Sequence, residues 1–403
     1  MSNAWKIYML AMISFLVGTS EFIIAGILDK VAADVGVTVS AAGQLITVFS
    51  LAYAFGTPVI MALTARMERR RLLLYALGLF AVGNLIAVAL PGFEFLIVSR
   101  IVLAISTGVF VVTALTVASK LAPAGKQGSA IATLVMGFST ALIVGVPLGR
   151  VAASVYDWPL IFGAIGILGL LAMLVILATI PQSDGEEPIP IRSQIALLKQ
   201  PKIAIALTVT FLWIGGYSIV YTYISPFLLN VTKLSEQGVS AALFAFGIAS
   251  LIGSKLGGYS TDRWGAPRTL VTGMLFHTVA LVLLSLTGQS PIIVFPLLML
   301  WAFTAWSSGP TQQFHLMSLA PGASGIMLSL NTSVLQLGMA AGAGLGGVIV
   351  EQASLTSISW IGATGVILAA ATAATTFGIS HSRSRREALK SSLAKTMTEV
   401  KQA

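Results

Sequence analysis

The chain has 403 residues, of which 56% are hydrophobic and 9% charged, with a formal net charge of +9 and a mean hydropathy of +0.93. These proportions lie far from those of a soluble domain and describe a chain of repeated membrane spans. With no cysteine in the chain, disulfides, thiolate chemistry and iron–sulfur clusters are excluded.

Apolar stretches long enough for a helix to cross the hydrocarbon recur along the chain. They cover 6–28, 41–64, 72–90, 95–119, 128–152 and 159–180, then 203–229, 238–260, 268–288, 291–316, 325–350 and 357–379. The pattern predicts an all-α polytopic membrane protein of twelve transmembrane helices in two pseudo-symmetric six-helix bundles, 1–180 and 203–380. A linker at 181–202 joins them and a basic tail at 381–403 follows. The first run exceeds a signal-peptide core, and no clean small-residue cleavage site follows it.

Lys and Arg set the expected orientation. With both termini cytoplasmic, the inner loops hold the Arg69–Arg71 cluster, Arg66, Lys120, Lys126, Arg263, Arg268 and the basic tail, whereas the outer side holds only Lys30, Arg150 and Lys233. The positive-inside rule therefore favours N-in, C-in. The basic balance is a topology signal, and no nucleic-acid footprint is expected.

The first span, IYMLAMISFLVGTSEFIIAGIL at 7–28, carries Glu21 near its middle. A charge at bilayer depth costs roughly 2.5–3.5 kcal/mol on insertion scales, and such residues mark ion or proton paths. The alternative is a protonated carboxyl that packs by hydrogen bonding. In the linker, Pro181, Pro188, Pro190 and Pro201 bracket mixed charges and a short amphipathic piece at 193–199. The halves also echo each other: Leu121-Ala122-Pro123 recurs as Leu319-Ala320-Pro321, each before a Gly-rich fifth span. Internal repetition with a site at the repeat interface is a plan of secondary transporters.

The loop after the eighth span reads Gly258-Tyr259-Ser260-Thr261-Asp262-Arg263-Trp264-Gly265-Ala266-Pro267-Arg268. It resembles the G-x-x-x-D-R-x-G-x-x-R signature of the major facilitator superfamily, in which the Asp and Arg hold the inner helix ends together. The first-half copy departs from it: Ala65 stands in place of the Asp and Glu68 in place of the Gly, while Arg66 remains. Gly145-Val146-Pro147-Leu148-Gly149 in the fifth span is similar to the Gly/Pro signature of antiporters of this superfamily. The resemblance implies conformational roles for Arg66, Gly145, Pro147, Gly149, Gly258, Asp262, Arg263 and Gly265.

Arg100 in the fourth span matches the buried arginine of the drug:proton antiporters; a snorkelling Arg is the competing account. Thr19-Ser20-Glu21-Phe22, Ala42-Gly43-Gln44-Leu45, Trp306 with Gln312-Gln313, and Asn331-Thr332-Ser333 with Gln336 resemble bacterial purine base and nucleoside efflux pumps. Sugar and chloramphenicol exporters of the same family share the first-span pattern.

A purine needs amides for its edges and aromatic faces for stacking. Gln44, Asn84, Gln312, Gln313, Asn331 and Gln336 are the amide candidates, with Trp213, Tyr217, Tyr221, Trp301 and Trp306 as faces. Taken singly, each reads as a helix–helix bond or an interfacial aromatic; the set carries the expectation. The Gly215-Gly216 pair is expected to loosen the seventh span. His277 and His315 lack metal-ligand spacing, and no phosphate loop or nucleophile–base arrangement is found. The expected protein is a monomeric proton-coupled exporter in the bacterial cell membrane. It uses no cofactor, the proton gradient supplying the energy, and Glu21 and Arg100 serve the coupling.

Overall fold

In a computed structural model of the protein, residues 2–123, 126–183 and 196–377 are described. The tail at 381–403 and most of the linker, Arg192 included, lie outside them, as does the start of the amphipathic piece at 193–199. Among the described residues, twelve helices are long and apolar enough to cross a membrane. They are α1 Asn3–Gly26, α2 Val39–Leu63, α3 Arg69–Ala89, α4 Phe93–Leu121, α5 Gln127–Val155 and α6 Trp158–Thr179. The second six are α7 Pro201–Asn230, α8 Glu236–Trp264, α9 Ala266–Thr287, α10 Pro291–Leu319, α11 Gly325–Gln352 and α12 Ser357–Phe377.

Local chemistry sets several of the helix starts. Ser2, Thr38 and Ser235 each accept a hydrogen bond from a first-turn N–H of α1, α2 and α8, as N-cap hydroxyls do. Gly265 separates α8 from α9 at φ 83°, a backbone region that only glycine adopts freely. The turn demanded by the Asp262–Arg268 signature is therefore built.

Two helices are interrupted. The ladder of α1 stops at Ile27 (φ −123°, ψ 18°), and a short helix, Leu28–Val35, follows instead of a continuous span to 28. In α7 the interruption is at Thr222–Tyr223, before Ile224–Asn230. The glycine pair expected to loosen α7 serves packing instead: Gly216 lies against the Gly362 carbonyl of α12, and Gly215 against Gly338 of α11. In α5 a π-helical turn, Ala141–Gly145, precedes Pro147, which relieves the missing amide bond of the proline.

α1 packs against α5, α3 against α4 and α6, and α2 against α4; α8 and α9 pack on α10, and α7 on α11. Between the first six helices and the second six, α2 runs along α11 and α5 meets α8. Among the described residues, the buried apolar side chains fall into three clusters. One spans both sets at the end where α1 finishes, from Ile23 and Leu28 to Tyr223, Leu243 and Phe246. A second lies wholly in the first six helices, around Leu10, Leu73 and Phe110. A third lies wholly in the second six, around Leu207, Leu316 and Met327. The halves thus share a core at one end and keep separate cores at the other.

Helix approach inside each half depends on glycine. A Cβ on Gly253 of α8 would meet the Phe303 carbonyl of α10, and one on Gly257 the Ser307 carbonyl; such small-residue contacts hold membrane helices at close range. Gly253→Val should destabilise the fold by about 1–3 kcal/mol, the usual cost of overpacking. The expected readout is a lower unfolding midpoint and loss of a monodisperse peak in detergent, with Gly258→Val, whose Cβ meets open space, unchanged.

Candidate functional site

Glu21 is buried at 8% exposure on α1, less than two turns before the break at Ile27. Its Oε1 accepts a hydrogen bond of 3.2 Å from Gln336 Nε2 of α11. This bond joins the first half to the second. Glu21 Oε2 and Gln336 Oε1 are also buried, and neither has a hydrogen-bond partner among the described residues.

Arg100 is 2% exposed. Its Nη1 donates to the Ser20 carbonyl at 3.0 Å, and its guanidinium lies 5.0 Å from the centroid of the Phe162 ring. The side chain therefore points inward, and the snorkelling account is set aside. No Arg100–Glu21 ion pair within 4.0 Å occurs among the described residues; the arginine binds the backbone beside Glu21 instead. Ser20 in turn donates to Asn84 Oδ1 at 3.3 Å, and Asn84 Nδ2 donates to the Phe80 carbonyl at 2.8 Å. Asn84, fully buried on α3, is thus spent on its own helix and on Ser20 of α1.

A small cavity adjoins the carboxyl. It is lined by Glu21 and Phe22 of α1, Phe49 and Ser50 of α2, Arg100, and Tyr221 and Met339 from the second half, and holds about 20 Å³. That is room for about one water molecule. Tyr221 stacks on Tyr217 at 5.2 Å and 15°, and Tyr217 lies 5.5 Å from Trp301. Trp301 donates to His277 Nε2 at 2.8 Å, so His277 is a packed acceptor.

The other sequence candidates are dispersed. Gln44 is half-buried against Gly347 on the α2–α11 seam. Gln312 donates to the Ala206 carbonyl at 2.7 Å and to Thr210 Oγ1 at 3.0 Å. Thr210 donates to Asn331 Oδ1 at 2.9 Å. This chain fastens α10, α7 and α11 to one another. Gln313 is exposed. Trp306 lines a separate crevice of about 220 Å³ between α5 and α8, with Met136, Ser139, Ser250 and Ser254. The amides expected to act as a set are dispersed: Gln312 and Asn331 meet through Thr210, and among the described residues Gln336 is the one of them bonded to Glu21.

The conformational residues divide likewise. Gly145 and Gly149 let α5 close on Thr19 and Ile23 of α1, with Pro147 buried between them. Asp262 and Arg263 are exposed, and Arg263 donates to Tyr259 at 2.9 Å rather than to Asp262. In the first-half copy Arg66 is exposed. Glu68 pairs with Arg71 at 2.9 Å, Arg70 donates to the Leu177 carbonyl, and the Arg69 amide donates to the Ser183 carbonyl at 3.0 Å. This cluster ties the start of α3 to the end of α6.

Tyr53 and Tyr223 had no place among the sequence candidates. Tyr53 is buried beside Phe49 on α2; Tyr223 donates to the Ala343 carbonyl at 3.0 Å and lies against Gly43.

A family model decides the assignment. The Major Facilitator Superfamily model matches residues 10–343. The chain belongs to the major facilitator superfamily. It is 58% identical over 369 residues to an uncharacterised MFS-type transporter, YbcL, of Bacillus subtilis (strain 168), covering 92% of this chain and 95% of that protein. A probable sugar efflux transporter of Helicobacter acinonychis (strain Sheeba) is 27% identical over 357 residues, covering 89% and 91%. Among solved structures, an inward-facing, occupied bacterial homologue of the human lysosomal transporter Spinster superposes with a TM-score of 0.74 at 17% identity, covering 93% and 96%. The protein is a multi-pass bacterial membrane transporter of the MFS type, and not an enzyme.

Replacing Arg100 by Met removes a charged donor from the Ser20 carbonyl. The variant should lose about 1.5–3 kcal/mol, the range for a hydrogen bond to a charged group, read as a lower unfolding midpoint in mixed micelles.

Proposed function

We propose that this MFS transporter is a proton-coupled exporter, oriented with both termini in the cytoplasm, whose substrates are purine bases or nucleosides. The observation that carries the coupling is the buried Glu21 carboxylate bonded to Gln336 of the opposite half. An N–H to a carboxylate is a charge-assisted bond, roughly twice as strong as a neutral one. Protonating Glu21 removes that assistance and loosens the α1–α11 contact, so the charge state of one carboxyl biases how the halves meet. A carboxyl whose surroundings alternate between hydrated and apolar changes its proton affinity at each turnover. Release of a proton inside and uptake outside would then drive substrate outward.

The purine reading rests on fewer groups than the sequence suggested. Tyr221, stacked on Tyr217, offers an aromatic face at the cavity, and Gln336 Oε1 offers an acceptor for a substrate N–H. Gln312, Asn331 and Asn84 act within the helix packing on this reading. The cavity of about 20 Å³ is far smaller than the roughly 300–1,000 Å³ of a small-molecule site. Substrate therefore enters a conformation in which the halves have moved apart around Glu21. The similarity to a probable sugar efflux transporter favours sugars as the second reading; a multidrug or chloramphenicol-type substrate would rely on the aromatic faces alone. A monomer is the expected working unit, with no cofactor beyond the proton gradient.

The test is proton flux in proteoliposomes under an imposed pH gradient, with a pH dye inside. Adenine, guanine, hypoxanthine and their nucleosides would be added, then a pentose, a hexose, chloramphenicol and a cationic dye. Purines alone should move protons, and Glu21→Gln should abolish that flux while inserting normally. A response to sugars or drugs alone would reassign the substrate; full coupling in Glu21→Gln would remove the carboxyl from the mechanism.

A further inference from the structure

At the end of the molecule where the halves share a core, a charged cluster bridges them. Arg150, on the last turns of α5, has a fully buried guanidinium. Its Nη1 donates to Asp29 and, at 2.8 Å, to the Gly26 carbonyl; its Nη2 donates to Asp29 Oδ2 at 3.1 Å and to Glu236 Oε2 at 2.8 Å. Asp29 belongs to the first half, on the short helix after the break in α1, and Glu236 opens α8 in the second half. Lys30 adds a contact to the same Glu236 oxygen at 3.4 Å. The cluster thus holds two cations and two carboxylates, with three of the four charges on the first half.

The break at Ile27 is part of the construction. A continuous helix would bond the Ala25 and Gly26 carbonyls internally; freed, they accept Ser225 Oγ of the second half at 2.9 and 3.1 Å. Gly26 therefore receives donors from both halves. Below it, Gly26 lies against Val146 of α5, with Leu243 of α8 next to it.

We propose that Arg150, Asp29 and Glu236 form a latch that holds this end of the transporter shut, with Glu236 as the catch on the second half. The asymmetry of the cluster gives it this role. Asp29 binds Arg150 within one half and remains with it when the halves part, so the guanidinium never loses its bidentate partner. Within the charged cluster, separation breaks the bonds that Arg150 and Lys30 make to Glu236, whose side chain is 39% exposed, with that of Lys30 at 22%. Water reaches both as they open. Removing one partner of a wholly buried pair would strand a charge; this arrangement avoids that and stays reversible. The latch presupposes alternating access, but its test reads distance rather than transport, so it stands or falls separately from the substrate and from proton coupling.

The chain has no cysteine, so spin labels can be placed without removing native thiols. Ala33→Cys with Gln237→Cys, both exposed, reports the latched end, and Gly128→Cys with Lys255→Cys, also exposed, reports the other. Each pair would be measured by pulsed electron double resonance in the parent and with Glu236→Gln, a rim substitution that leaves Arg150 on Asp29. The expected result is a new longer component for the first pair, its population ratio rising about tenfold or more, as the loss of a charged hydrogen bond implies, and a shorter component for the second. Unchanged distributions for both pairs in monodisperse Glu236→Gln protein would overturn the latch.

Discussion

The bond from Gln336 to Glu21 places a carboxylate at the contact between two halves of a membrane protein, where nothing in the lipid can hydrate it. Much of the surrounding structure serves that position. Arg100 brings its positive charge to the backbone one residue away and rests on Phe162. Asn84 fixes Ser20, and the Gly145–Gly149 segment lets α5 close on Thr19 and Ile23. The carboxyl is thus held by second-row contacts to its helix, while its own oxygens keep one bond across the interface and one free acceptor position.

Two kinds of contact divide the labour of assembly. Within each half, glycines bring backbones together, as Gly253 does with Phe303 and Gly216 with Gly362, and polar chains such as Gln312–Thr210–Asn331 fasten helices laterally. Between the halves, one shared apolar core meets a cluster of ions and carbonyl acceptors at the same end. At the other end each half keeps a core of its own, and a crevice lies between α5 and α8. Contacts between the halves include part-exposed charges that water can take over.

The number and order of spans were legible because a membrane helix writes its length directly as an apolar run. Glu21 was legible for the complementary reason, as a charge inside such a run. Arg100 was visible, but its direction was not, since a long side chain on a span can turn to either interface or inward. The amides misled because a span shows which residues lie at membrane depth and not which helix they face. Gln312 and Asn331 prove to be bonded through Thr210, a residue with no signal of its own. The Arg150 cluster escaped notice as a cluster because Asp29, Arg150 and Glu236 stand at three separate span ends, each of which reads as an ordinary boundary charge. The break at Ile27 was hidden by the unbroken apolar run that continues through Leu28.

α1 and α7, the first helices of the two halves, are each a long rod that ends in a jointed tip: Leu28–Val35 after Ile27, and Ile224–Asn230 after Tyr223. The two tips touch, with Ser225 of one gripping the carbonyls at the joint of the other. An uninterrupted helix transmits a tilt along its whole length, because each turn is bonded to the next. At a joint that ladder is cut, so a rod can lean while its tip keeps its partners. If the halves alternate as proposed, the paired joints would let the rods lean while the tips, held by Ser225, keep their grip.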